Sequence, residues 1–107
     1  MRQTIDWVTK AAGSLHTAAV HADRLGQADL FSGWAALADQ IRLVAAGLDP
    51  VAVPHETSPW PSVSDGLTAA LDALDRVTTH DGPTDLGLWE WHVREVRDLA
   101  VRLETLP

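Results

Sequence analysis

The sequence predicts an all-α protein: a four-helix bundle built from two antiparallel helical hairpins that a proline-rich linker joins. Apolar residues recur at the three- and four-residue spacing of amphipathic helices through four stretches. Four of the six prolines lie between the second and third stretch, in the linker at residues 49–61. A chain of 107 residues is expected to form one domain, with the hairpins at residues 4–48 and 62–106.

The first hairpin is predicted from two amphipathic stretches. Helix 1 should cover residues 5–24, with Thr4 as its N-cap and Gly26 as its C-terminal stop. Its apolar face is rich in alanine, so a neighbouring helix can approach closely. Helix 2 should cover residues 28–46, and Gly47 followed by Asp49 and Pro50 should end it. The inner face of helix 2 is expected to hold Leu30, Trp34, Leu37, Ile41, Val44 and Leu48, flanked by Phe31.

The second hairpin is predicted from capping residues and a heptad-like stripe. Helix 3 should begin near Ser62, because Ser62 and Asp65 have the spacing of a capping box. Residues 81–83 (Asp-Gly-Pro) should end it, and Thr84 should cap helix 4, which reaches about Thr105. The inner face of helix 3 should include Val63, Leu67, Ala70, Leu74 and Val77, and that of helix 4 Leu86, Trp89, Val93, Val96, Ala100 and Leu103.

The composition excludes several classes of function. The net charge is −7 and the isoelectric point is near 4.9, so the chain lacks the cationic surface that nucleic-acid binding needs. No apolar run approaches the ~20 residues of a membrane span, and association with an anionic membrane is not expected. The chain has no cysteine, which excludes disulfides and thiolate chemistry and favours a cytoplasmic location.

Catalytic, metal and cofactor sites are not predicted. No nucleophile motif or phosphate-binding loop occurs, and cofactors are expected to be absent. The nearest match to a metal motif is His92 followed by Glu95, which reverses the Glu-x-x-His order of helical di-metal proteins. An enzyme is therefore not favoured, and the weakest alternative is a metalloenzyme that uses His92 with His16 or His21.

The tryptophans provide the leading functional hypothesis. If Trp89 faces inward on helix 4, then Trp91 points roughly away from the core. Trp7, Leu43 and Leu88 also lie off their helices' inner stripes, and Leu43 and Leu88 could form an apolar patch with Trp91. Trp60 lies between two prolines of the linker. Outward tryptophans often anchor interfaces, although Trp60 could instead fold back onto Trp91 or Trp7. The favoured function is a small non-enzymatic protein-interaction module that forms a homo-oligomer or binds a protein partner, and the net charge of −7 would favour a basic partner.

The main alternative is a binding protein for a small apolar or aromatic ligand. The alanine-rich helix 1 could leave a cavity opposite large aromatic side chains on helices 2 and 4. The residues expected to line this cavity are Trp34, Trp89, Leu15 and His92.

Overall fold

Four helices pack together in the computed structural model, which describes residues 6–51, 53–54, 59–77 and 85–106. The helices are α1 (Trp7–Ala28), α2 (Trp34–Leu48), α3 (Val63–Asp75) and α4 (Leu86–Thr105). No β-strand occurs among the described residues, which confirms the all-α prediction. Within the same residues, no helix combines the length and the apolarity that are needed to cross a membrane.

The N-terminal cap of α1 is Asp6, whereas Thr4 and Ile5 of the predicted start lie outside the described residues. The Asp6 carboxylate accepts hydrogen bonds from the backbone N–H groups of Val8 and Thr9, each at 3.1 Å. Two hydrogen bonds from Thr9 lower the pKa of Asp6, because both are donated to the charged carboxylate. The bond from the backbone N–H has the larger effect, and the bond from the hydroxyl has the smaller one. The sequence contained this cap, and the prediction placed it two residues too early.

The prediction that Gly26 ends helix 1 is wrong, whereas α2 ends directly before Asp49 and Pro50, as the sequence predicted. α1 continues two residues past Gly26, and α2 continues one residue past Gly47. Both glycines instead permit close contacts between helices. A Cβ on Gly26 would lie 2.9 Å from the backbone nitrogen of Ala35, and a Cβ on Gly47 would overlap the indole ring of Trp89.

A turn separates α1 from α2 where the sequence predicted helix from residue 28 onward. The Asp29 carboxylate accepts a hydrogen bond from the backbone N–H of Phe31 at 3.1 Å. The Ser32 hydroxyl donates to the Asp29 carbonyl oxygen at 2.7 Å and accepts from the Trp34 N–H at 3.3 Å. These bonds compete with helix formation. Leu30 and Phe31, predicted on or beside the inner face of helix 2, are therefore 80% and 98% exposed.

The start of α3 confirms the predicted cap, and its end differs from the prediction. The Ser62 hydroxyl accepts a hydrogen bond from the Asp65 backbone N–H at 3.1 Å. α3 ends at Asp75, so Val77, which was predicted on its inner face, follows the helix. The predicted stop and cap at residues 81–84 lie outside the described residues.

The helices contact one another in a cyclic order. α1 packs against α2 and α3, and α4 packs against the same two helices; α1 and α4 make no contact among the described residues. Small side chains line the buried face of α1, namely Ala11, Ala12, Gly13, Ser14, Ala18, Ala19 and Ala22. α4 instead meets its neighbours partly through large, half-buried side chains, namely Trp89, Leu99 and Leu103. Small residues allow neighbouring helices to approach closely, whereas large side chains need more space between helices.

Two linker residues lie against the helices. A Cβ placed on Gly13 of α1 would lie 3.4 Å from the carbonyl oxygen of Val53. A Cβ placed on Gly66 of α3 would lie 3.1 Å from the six-membered ring of Trp60 and 3.4 Å from the Cβ of Ala18. These contacts place Val53 and Trp60 on the α1 and α3 side of the molecule.

Stability should depend on pH through His16, a half-buried α1 side chain whose Nε2 atom is buried without a hydrogen-bond partner. Desolvation has the largest effect on the pKa of His16 and lowers it, and the positive charge of nearby Arg42 lowers it further. The negative charge of Asp49 partly opposes this decrease. The folded state therefore disfavours protonation, and we expect stability to fall as pH decreases through the ordinary histidine pKa of about 6.5. Chemical denaturation of wild type and His16→Gln between about pH 7.5 and 5.5 tests this. An equal loss of stability in both proteins would contradict it.

Candidate functional site

An open groove of about 570 Å3 lies between α2 and α4. Its walls are mainly apolar and include Leu43, Trp89, Trp91, His92, Glu95 and Leu99. The volume falls within the ~300–1,000 Å3 of typical ligand sites.

The residues at the rim of the groove are apolar and exposed to solvent. Leu43 of α2 is 73% exposed, and Trp91 of α4 is 54% exposed. Both lie off the inner stripes of their helices, as the sequence predicted. Gly47 has no side chain at the point where the Trp89 indole crosses α2, so Trp89 can lie in the groove wall. An exposed leucine and tryptophan on facing helices form an apolar patch that a partner can bury.

Three aromatic rings form one wall of the groove. The ring centroids of Trp89 and His92 are 5.9 Å apart with a 42° tilt between the planes. Those of Trp91 and His92 are 5.2 Å apart, with an edge-to-face angle of 73°. His92 therefore lies between two indoles at distances that favour aromatic attraction. These contacts restrict the position of the exposed Trp91 ring, which lowers the entropy cost of burying it.

The charges at the groove are negative. Glu95 belongs to the lining, which includes no lysine or arginine among the described residues. The neighbouring Arg94 forms an ion pair with Glu90 at 3.7 Å on α4. Together with the net charge of −7, this distribution disfavours anionic ligands and tolerates apolar or cationic groups.

The structure separates the four residues predicted to form an interface. Leu88 is 54% exposed and precedes Trp91 by three residues on α4, so the two lie about one turn apart. Trp7 is half-buried at the other side of the molecule, where Lys10 and Arg76 each lie 5.0 Å from its ring centroid. Trp60 is half-buried beside Gly66. Only Leu88 and Trp91 are therefore near the groove.

The four residues predicted to line a ligand cavity are also separated. Trp34 and Leu15 belong to the buried core, whereas Trp89 and His92 line the groove. Leu43 was predicted to lie off the inner stripe of helix 2 and to join Trp91 in an apolar patch. Leu99 carried no comparable signal, because its burial depends on how far α2 and α4 stand apart.

The histidines considered for a metal site lie on different helices. His16 and His21 are on α1 and His92 is on α4, two helices that do not contact each other in the described part of the chain. Among the described residues, no group of three or more His, Cys, Asp or Glu side chains has an arrangement that could hold a metal ion.

No protein-family model matches the chain, and no curated protein or solved structure is significantly similar to it.

Proposed function

We propose that this protein is a small, non-enzymatic interaction module that self-associates through the α2/α4 face, defined as the groove with its exposed rim residues Leu43, Leu88 and Trp91. The observation that carries the proposal is the joint exposure of Leu43 and Trp91 across one open groove. A leucine and a tryptophan held in this way are typical anchors of an interface core.

The proposed architecture is two antiparallel hairpins joined by the linker at residues 49–61. The Thr9 hydroxyl oxygen lies 2.8 Å from a carboxylate oxygen of Asp49, which brings the start of α1 to the end of α2. The Ser64 backbone N–H donates to the Glu104 carboxylate at 3.3 Å, which brings the start of α3 to the end of α4. Both contacts support helices that run in opposite directions.

The proposed linker course leaves the α2/α4 face as the accessible one. The contacts of Val53 with Gly13 and of Trp60 with Gly66 support a linker that returns along α1 and α3. The linker would then cover the α1 and α3 side of the bundle, and a partner would find exposed apolar side chains on the α2/α4 face. The absence of cysteine is compatible with the reducing cytosol, where we propose that the protein acts.

The wild-type protein should form a dimer that Trp91→Ala weakens. Truncation of an anchor of this kind costs about 2 kcal/mol or more of binding free energy, so the dissociation constant should rise by about 30-fold. Light scattering and sedimentation over a range of protein concentrations measure this shift. Val101→Ala is the matched control, because Val101 is an exposed apolar residue of α4 that is not part of the groove lining.

Two results would overturn self-association. One is a monomeric wild type at the highest attainable concentration; the other is a dimer that Trp91→Ala leaves unchanged. If the monomer's melting temperature rises with small aromatic amines, the groove is a ligand site instead.

The salt dependence of binding distinguishes a second copy from a basic partner. Screening by salt strengthens the association of two chains of charge −7, whereas it weakens the binding of a cationic partner.

A further inference from the structure

We infer that the exposed tip of the α1–α2 turn, Leu30 and Phe31, docks against Leu88 and Trp91 of a second copy in a two-fold dimer. This inference rests on the proposed self-association and names the segment that completes its interface. It assigns a binding role to two side chains that make the most exposed apolar pair in the described turn, at 80% and 98% exposure.

Hydrogen bonds define the backbone conformation of the tip. The Asp29 carboxylate accepts from the Phe31 N–H, and the Ser32 hydroxyl donates to the Asp29 carbonyl oxygen and accepts from the Trp34 N–H. Gly33 completes the turn in the left-handed region at φ 88°. These bonds restrict the backbone of the tip, so a partner that buries the side chains loses little backbone entropy.

The tip and the exposed residues of α4 lie at opposite ends of the α2/α4 face. A Cβ on Gly33, next to the tip, would lie 3.6 Å from the Leu103 side chain near the end of α4. At the other end, Gly47 of α2 meets Trp89, two residues before Trp91. A two-fold axis that runs across the helices in the interface plane exchanges these ends. It brings the tip of each copy to Leu88 and Trp91 of the other.

The area of the face suits a second copy. α4 is about 30 Å long and α2 about 22 Å, and each helix is about 10 Å wide, so the face covers about 500 Å2. The projecting tips at both ends add to this area and bring it towards the ~800 Å2 per partner of a standard interface. Without the tip, the buried area would be at the low end for a stable dimer.

Cysteine crosslinking tests the contact directly, because the natural chain has no cysteine. A mixture of Phe31→Cys and Leu88→Cys chains, treated with a short bis-maleimide, should give a heterodimer in at least about tenfold higher yield than the control mixture, since contact raises the effective thiol concentration. The control pairs Phe31→Cys with Thr68→Cys, an exposed position on α3. As a second variant, Phe31→Ser should weaken dimerisation by about tenfold or more with an unchanged monomer melting temperature.

The outcomes separate this inference from the proposed function. If the wild type dimerises and Trp91→Ala breaks the dimer, but Phe31→Cys crosslinks no better to Leu88→Cys than to Thr68→Cys, the tip contact is wrong and self-association stands. Efficient crosslinking of Phe31→Cys to itself would indicate a parallel dimer and would also overturn the inference. A monomeric wild type would overturn both proposals together.

Discussion

Leu15→Ala should lower the free energy of unfolding by about 2–5 kcal/mol, because it leaves a cavity in the core. Leu15 is among the largest fully buried side chains and packs among residues of the core cluster. Urea denaturation followed by circular dichroism measures the loss. The sequence also allowed Leu15 to line a ligand cavity, and its burial makes the core effect the expected one.

Leu43→Ala is the matched control for Leu15→Ala, since it removes the same atoms from a site that is exposed. We expect it to change the free energy of unfolding of the monomer by less than about 0.5 kcal/mol and to weaken dimerisation. The pair therefore separates stability from association. A Leu15→Ala protein as stable as Leu43→Ala would contradict the packing described for α1.

Gly47→Ala should destabilise the protein by about 1–3 kcal/mol, although alanine is the better helix former by about 1 kcal/mol. The new Cβ would overlap the six-membered ring of the Trp89 indole, so either the ring or α2 must move. Because Trp89 forms part of the groove wall, the same substitution should weaken dimerisation. Thermal unfolding and the Trp fluorescence maximum report the two effects.

Gly87→Ala is the control for Gly47→Ala, because a Cβ at Gly87 of α4 meets nothing within 4 Å. Here only the helix propensity changes, and we expect a gain in stability of about 0.5–1 kcal/mol. The two Gly→Ala substitutions should therefore have opposite signs. If Gly47→Ala also stabilised the protein, the close contact between Gly47 and Trp89 would be wrong.

The groove was predictable only in part. The heptad-like stripe of α4 placed Trp91 away from the core, and its exposure follows from the rotation of the helix alone. The position of Leu43 opposite it depends on which helices are neighbours and on how far α2 and α4 stand apart. Neither quantity follows from the periodicity of one helix. Trp34 and Trp89 show how far periodicity can predict burial. Both were predicted on inner stripes, and only Trp34 is buried.

By itself the sequence determined the all-α class, the number of helices among the described residues and the residues that face inward on most of them, because these depend on local periodicity and capping. The tertiary structure decided the role of the glycines. Gly26 and Gly47 have the local signature of helix ends, yet each is a point where another element comes too close for a side chain. Only the packing of α2 against α1 and α4 distinguishes the two meanings, because a glycine that ends a helix and one that admits a neighbour are identical along the chain.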